Sequence, residues 1–344
     1  MLDAVIDSGL APDAVVRLGI RRLLARRLSE EQAAGPARLS AFVEELSRGP
    51  IAERTDAANA QHYEVPAEFY VAALGPRLKY SSCYFEPGET DLGRAEVRML
   101  DLYVERGDIK DGQAILDLGC GWGSFSLYAA ERFPQARILG VSNSAVQRRF
   151  IEARRDALGL KNLEITTCDV NDFDPGRRFD RIVSIEMFEH LHNYAELFKR
   201  LNRWLTPEGL LFVHVFVHGR FAYPFAERNS ADWMARHFFT GGLMPSEELL
   251  PGFAVRNGLE LEQSWRVPGT HYGKTAEAWL KSLDARKKDV LAVFRQAYGD
   301  REAGPRLERW RVFFMACAEL WSYRAGQEWF VAHYRFAKSP EVAP

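Results

Sequence analysis

The chain has 344 residues, 47% of them apolar, so it can bury a large core and is not wholesale disordered. Its 45 Lys and Arg against 47 Asp and Glu leave a net charge of −2, which argues against a protein built to coat nucleic acid. The four cysteines, Cys83, Cys120, Cys168 and Cys317, show neither CxxC spacing nor a paired pattern with His, so neither a metal site nor a disulfide framework is expected. No charged-then-apolar leader is visible, and no run of about 18 apolar residues suggests a membrane span. The expectation is a soluble protein of a reducing compartment, placed in the cytoplasm.

The first sixty residues read as helices. Val16, Ile20, Leu23 and Leu24 share one helical face, while Arg17, Arg21, Arg22 and Arg26 lie off it. A basic amphipathic helix of this kind either touches anionic lipid or packs on its own domain with a solvated Arg face. The second reading is favoured, with weak peripheral membrane contact left open. From Ala34 to Ala57 the sequence is polar, Ala-rich and uninformative.

The middle of the chain alternates. Gln113 to Gly119 reads as a strand, Ser124 to Arg132 as a helix, Arg137 to Ser142 as a strand and Ala145 to Leu158 as a helix. Strands follow at Leu163 to Asp169 and Phe179 to Ile185, then a helix at Tyr194 to Leu205 and a strand at Leu210 to Phe216. Such alternation builds right-handed βαβ units and a parallel sheet. Beyond Phe216 the rhythm stops in an aromatic stretch from Phe221 to Met244. Leu259 to Trp265 and Trp329 to Phe336 complete seven strands, separated by helices at Thr275 to Tyr298 and Leu307 to Ala325.

The strongest local signal is Asp117-Leu-Gly-Cys-Gly-Trp-Gly123, set between a strand and a helix. Glycines there let a ligand approach the backbone closely, and the helix start offers free N–H groups. The acidic start and the glycine spacing differ from a dinucleotide fingerprint. They resemble motif I of the S-adenosylmethionine-dependent methyltransferases. Gly119 and Gly121 would admit the methionine part of that cofactor, and Asp117 would hold its ammonium through water or the loop. Other strand ends agree: Asp169 is placed to take an adenine amino group while Val170 packs on the ring. The polar Ser142 to Ser144 turn, with Gln147 behind it, lies where ribose hydroxyls are commonly held. Ser184, near the end of the fourth strand, joins the candidate cofactor set.

After that strand, Glu189 and His190 follow Glu186 by three and four positions. If the chain turns helical there, all three face one side, toward the methyl donor. A carboxylate or imidazole beside an amine can orient it and accept its proton. The plainer alternative is a solvated helix start with favourable first-turn charge.

Tyr80-Ser-Ser-Cys-Tyr-Phe85, Leu116 to Ser124, Ser184-Ile-Glu-Met-Phe-Glu-His190, Phe239-Thr-Gly-Gly242, Met244-Pro245 and His271-Tyr272 together resemble the cyclopropane-fatty-acyl-phospholipid synthase superfamily. Within it they are most similar to the coclaurine N-methyltransferase branch, over nearly the whole chain. The resemblance implies an α/β, Rossmann-like class I methyltransferase with a seven-stranded sheet, an N-terminal helical extension and a helical substrate cap. The expected division is 1–75 for the N-terminal helical segment, 76–218 for the cofactor-binding core, and 219–344 for the cap with the last strands. It also implies S-adenosyl-L-methionine as cofactor, with Tyr80 and Ser81 at its methionine end beside Gly119. Asn143 and Gln147 would take the ribose region, and Asp169 and Val170 the adenine. Glu186 and His190 would bind and deprotonate the amine, supported by Glu189.

Lipid cyclopropane synthases hold a bicarbonate on a Cys, a Glu and a His. Here the Cys slot is Ser82, Glu189, His214 and Tyr272 match the rest of that set, and Glu186 stands where a glycine is usual. A carboxylate there suits a cationic amine better than an alkene, although the retained set keeps the lipid reading open. Trp233, Phe239, Tyr323, Trp329 and Phe330 are candidate substrate walls, with Tyr63, Phe188 and Phe221 added to the lining. Core packing explains each ring as readily. Cys120 and Cys168 read as buried and inert. The expected partner is a small amine, with no nucleic acid, and a homodimer is left open.

Overall fold

The computed structural model describes residues 2–53, 65–226 and 232–339. Its centre is a seven-stranded sheet in the order β3-β2-β1-β4-β5-β9-β8. The strands are β1 (Ala114–Leu118), β2 (Arg137–Ser142), β3 (Leu163–Thr167), β4 (Phe179–Ile185), β5 (Leu205–His218), β8 (Leu259–Val267) and β9 (Trp329–Lys338). The first five pair in parallel, and β9 runs antiparallel to both β5 and β8. All seven expected strands are present. A second, two-stranded ribbon of β6 (Tyr223–Pro224) and β7 (Leu243–Met244) lies inside the aromatic stretch and was not anticipated. The residues between the expected helix at Tyr194 to Leu205 and the expected strand at Leu210 to Phe216 form a bulge in β5: Phe179 faces Leu205, and the ladder resumes with Arg181 facing Leu210.

The helices, in chain order, are α1 (Leu2–Asp7), α2 (Asp13–Glu45), α3 (Ala67–Ala73), α4 (Leu92–Arg106), α5 (Ser124–Arg132), α6 (Ala145–Ala157) and α7 (Tyr194–Trp204). They continue with α8 (Trp233–His237), α9 (Leu249–Arg256), α10 (Gly269–Ala285), α11 (Lys287–Tyr298) and α12 (Asp300–Ser322). Side chains set several starts. Asp91 accepts from the Arg94 N–H at α4, Ser144 from Gln147 at α6 and Asn193 from Glu196 at α7. Two apolar layers sandwich the sheet. Tyr103, Phe125 and Phe212 belong to one, and Phe198, Leu201 and Phe336 to the other.

The N-terminal helices lie on the C-terminal ones. Arg17 reaches Glu277 at 2.5 Å and Glu319 at 3.1 Å, Arg21 reaches Glu319 at 2.5 Å, and Arg311 bridges Asp13 and Asp284. Two arginines of the basic face, Arg17 and Arg21, therefore serve intramolecular ion pairs: the helix packs on its own chain, but these two side chains are engaged where a solvated face was expected. No helix among the described residues is long and apolar enough to cross a membrane.

The sheet has one switch of direction. From β1 the chain moves outward through β2 and β3, then returns to the other side of β1 as β4. The loops after β1 and β4 thus open beside each other at the carboxyl edge, where open α/β sheets hold ligands.

Gly269 shows how tightly the cap sits on this frame. A Cβ there would stand 2.2 Å from the Trp329 carbonyl oxygen and 2.4 Å from that of Trp321. Gly269→Ala must push α10 outward, at a cost of about 1–3 kcal/mol or more. A thermal midpoint lowered by several degrees is the expected outcome in a melting experiment.

Candidate active site

Backbone shape builds the first cavity. In the loop between β1 and α5, Gly119, Gly121 and Gly123 all have positive φ, at 84°, 53° and 78°. A Cβ on Gly123 would meet Ile151 at 2.8 Å, whereas one on Gly121 would meet nothing within 4 Å. Gly123 is thus required by packing, and the loop is left open at Gly121. The Gly119 N–H donates to the Val141 carbonyl at 3.0 Å, tying the loop to β2.

A cavity of about 160 Å³ lies against this loop. Tyr80, Ser81, Asp117, Gly119, Gly121, Asn143, Gln147, Asp169 and Val170 all line it, together with Glu186 and His190. Ser184 does not: its hydroxyl donates to the Leu118 carbonyl at 2.9 Å, joining β4 to β1 beneath the loop. Gln147 is held by the Ser142 hydroxyl, which donates to its Oε1 at 2.6 Å. The Asp169 carboxylate accepts from the Asn171 N–H at 2.8 Å. Cys168, expected to be buried, is half-buried on the same wall, while Cys120 is buried. Asp117 is buried and accepts from the Ser126 hydroxyl at 2.5 Å, and burial pushes its carboxyl up to about 7.

A second cavity, of about 880 Å³ and largely apolar, shares Tyr80, Glu186 and His190 with the first. Of the expected walls, Trp233 and Phe239 line it, together with Tyr272 and Glu189 of the bicarbonate-like set. The other expected walls lie elsewhere. Phe188 is packed between Tyr194 and Phe198, Phe221 lies on the His218 ring, and Phe330 lies under Arg266. Trp329 is buried and donates its indole N–H to the Tyr223 hydroxyl at 3.0 Å, with Tyr323 edge-on against it. His214 stands behind Glu186 rather than on the wall. Tyr63 lies outside the described residues. In their place Phe216, Trp279, Phe313 and Trp321 line the cavity, closed by Val16, Ile20, Leu23 and Leu24 from α2. The α2 stripe was visible in the sequence as one helical face. Nothing in the spacing of the aromatic residues separated walls from core.

At the junction of the two cavities the expected helical turn is absent. β4 ends at Ile185, Glu186 takes a left-handed φ of 47°, and only Phe188–His190 forms a short 3₁₀ turn. A non-glycine residue in that conformation costs about 1–2 kcal/mol. The Glu186 carboxylate accepts the Ser82 N–H at 2.9 Å and His214 Nε2 at 3.0 Å on Oε1, and the Tyr272 hydroxyl at 2.6 Å on Oε2. Burial pushes this carboxyl up to about 7 against the opposing pull of buried Lys79, the Tyr272 hydroxyl and the Ser82 N–H. Lys79 itself donates to the Ser81 hydroxyl at 2.5 Å and the Ser82 carbonyl at 2.6 Å, and burial draws its amine down. Sequence reading passed over Lys79. Glu189 is buried, its Oε2 has no hydrogen-bond partner among the described residues, and burial plus the Glu186 charge holds its carboxyl well up. The His190 ring stacks on Phe239, nearly parallel, at 5.6 Å. The set suggested for a bicarbonate is therefore differently engaged: His214, Tyr272 and the Ser82 backbone all donate to Glu186.

The profile of the family described as mycolic acid cyclopropane synthetase matches residues 52–328. The (S)-coclaurine N-methyltransferase of Thalictrum flavum subsp. glaucum is 35% identical over 344 residues, covering 97% of this chain and 94% of its own. That of Papaver somniferum is 33% identical, covering 97% and 96%. A crystal structure of coclaurine N-methyltransferase bound to N-methylheliamine and SAH superposes with a TM-score of 0.93 at 34% identity, covering 98% of this chain and 99% of that one. The chain belongs to the mycolic acid cyclopropane synthetase family. It is an S-adenosylmethionine-dependent methyltransferase, of the N-methylating kind that these relatives represent.

Asp117 yields a pH test. Its carboxyl is neutral more readily in the folded protein than at its unfolded value of 3.8. The folded state therefore binds this proton more tightly, and the stability it contributes is lost as pH rises through about 7. Asp117→Asn, permanently neutral, should gain thermal midpoint relative to the parent as pH is raised across that window. An unchanging difference between the two melting curves would contradict the assignment.

Proposed function

We propose that this enzyme transfers the methyl group of S-adenosylmethionine to the nitrogen of a small aromatic or benzylic amine, of the tetrahydroisoquinoline kind. The observation that carries the reading is the pair of buried carboxylates, Glu186 and Glu189, at the junction of a glycine-loop cavity and a large aromatic one. Buried acids beside an apolar cavity favour a cationic or proton-bearing partner over a neutral chain.

The glycine-loop cavity fits the cofactor: it is open at Gly121, backed by the buried Asp117 carboxyl and lined with polar side chains at the ends of β2 and β3. Tyr80, Ser81 and Gly119 would hold its methionine end, Asn143 and Gln147 its ribose, and Asp169 with Val170 its adenine. The bound cofactor supplies an electrophilic methyl group on a sulfonium. Glu186 anchors the substrate ammonium, with the unpartnered oxygen of Glu189 as a second acceptor. Glu186 or His190 takes the proton that frees the nitrogen lone pair. Tyr272 and Trp321, stacked at 4.8 Å, form one flat wall for the rings, and such faces also attract a cation. α2 and α12 line the larger cavity beside this junction.

The rival reading, methyl addition to an unsaturated acyl chain, would use the same apolar volume. It is disfavoured because the donors that a bound bicarbonate would use already hold Glu186. Cytoplasmic residence is part of the proposal. So is a use for the exposed Leu10, Val15 and Leu18 on or beside the N-terminal helices, as a face for weak membrane contact or a second copy.

Replacement of the anchor is the direct test. Glu186→Gln keeps the shape and removes the charge, and should lower turnover of a tetrahydroisoquinoline by about 100-fold or more while cofactor affinity changes less than about threefold. Methyl transfer followed by mass spectrometry, beside calorimetric titration with S-adenosylmethionine, checks both. Undiminished turnover in Glu186→Gln would remove the proposed role.

A further inference from the structure

We infer that Arg106 and His333 are positioning residues for methyl transfer, fixing the one tautomer in which His214 donates to Glu186. The inference rests on the amine-methylating reading above. Four side chains form a hydrogen-bonded file leading inward from the C-terminal end of α4. Arg106 NH1 stands 2.6 Å from His333 Nδ1, His333 Nε2 stands 2.9 Å from His214 Nδ1, and His214 Nε2 stands 3.0 Å from Glu186 Oε1. The sheet register explains the pairing of the imidazoles, because His214 on β5 lies directly opposite His333 on β9. Both are fully buried. Burial, with the cations of Lys79 and Arg106 nearby, holds both rings well below the ordinary histidine range. Each is therefore neutral and carries a single N–H.

The direction of the file follows from its outer end. A guanidinium offers only N–H groups and cannot accept. His333 Nδ1 must then accept from Arg106, which leaves the His333 proton on Nε2. That N–H points at His214 Nδ1, which also faces the Tyr103 hydroxyl at 2.9 Å and must act as acceptor. The His214 proton is thereby placed on Nε2 and aimed at Glu186. The opposite tautomer at His333 would set N–H against N–H at 2.6 Å. Every link donates toward the carboxylate, and none offers it a vacant acceptor. The file consequently orients Glu186 and favours its charged form instead of draining its proton. Arg106 is itself anchored, with its guanidinium over the Trp265 ring at 5.2 Å.

Two measurements test this in the full chain. The first is ¹⁵N-imidazole NMR, assigned with His214→Gln and His333→Gln, which reads the tautomers with no substrate present. Protons on Nε2 of both rings are expected, and an Nδ1 proton on either would overturn the inference. The second is steady-state kinetics with a tetrahydroisoquinoline. Arg106→Met and His333→Phe should lower kcat by about tenfold or more, with KM for S-adenosylmethionine within about twofold. His333→Gln, whose amide can accept from Arg106 and donate to His214, should recover most of that loss. Wild-type kcat in His333→Phe, or equal impairment in His333→Gln, would overturn the inference. If His333→Phe does not fold, Arg106→Met at its half-buried position carries the kinetic test. A parent enzyme that binds S-adenosylmethionine but methylates no amine would defeat the functional reading alone, and the tautomer signals would still decide this one.

Discussion

A carboxylate buried at the end of β4 needs donors on every side, and the surrounding elements supply them. The segment after α3 brings the Ser82 N–H, β5 brings His214, and α10 brings the Tyr272 hydroxyl. A lone ionised carboxylate would be far too costly in such a place. Three hydrogen bonds and the nearby Lys79 cation offset part of that cost, and the left-handed turn at Glu186 adds a further one. The strain and the desolvation have one site in common, where the two cavities meet.

The arrangement of elements makes that meeting unavoidable. Because the strand order reverses between β1 and β4, the glycine loop and the Glu186 turn emerge as neighbours. The antiparallel return of β9 beside β5 sets His333 behind His214. The cap then closes the other side: α12 contributes Phe313 and Trp321, α10 contributes Tyr272, and α2 lays its apolar stripe across the opening. Ion pairs from Arg17, Arg21 and Arg311 hold α2 to this cap, so the basic face and the apolar face of one helix serve the same end.

Much of this was legible in the sequence, for reasons of periodicity and chain economy. Buried parallel strands leave continuous apolar runs, and Ile115, Leu139, Ile182 and Val213 sit in such runs, so the parallel strands could be read, while the antiparallel β9 showed as an alternating pattern. The Asp117 to Gly123 loop was legible because positive φ restricts it to glycine at three positions. The Glu186 turn was misjudged as helical: spacing of three and four suits a helix, and a left-handed residue leaves no mark when it is not glycine. The aromatic walls were only partly separable from the core, since Trp329 and Trp321 differ in which side of β9 or α12 faces the cavity, and composition carries no such direction. His214 and His333 are more than a hundred residues apart, and only the β5–β9 register unites them.

The most direct measurement is the identity of the methylated product. Purified protein and S-adenosylmethionine would be offered tetrahydroisoquinolines, phenethylamines and vesicles of unsaturated phospholipid together, with mass spectrometry of every fraction. A gain of one methyl on an amine nitrogen, with the vesicle lipids unchanged, is the expected result. A gain confined to the acyl chains would contradict the role given to Glu186 and return the cavity to a lipid substrate.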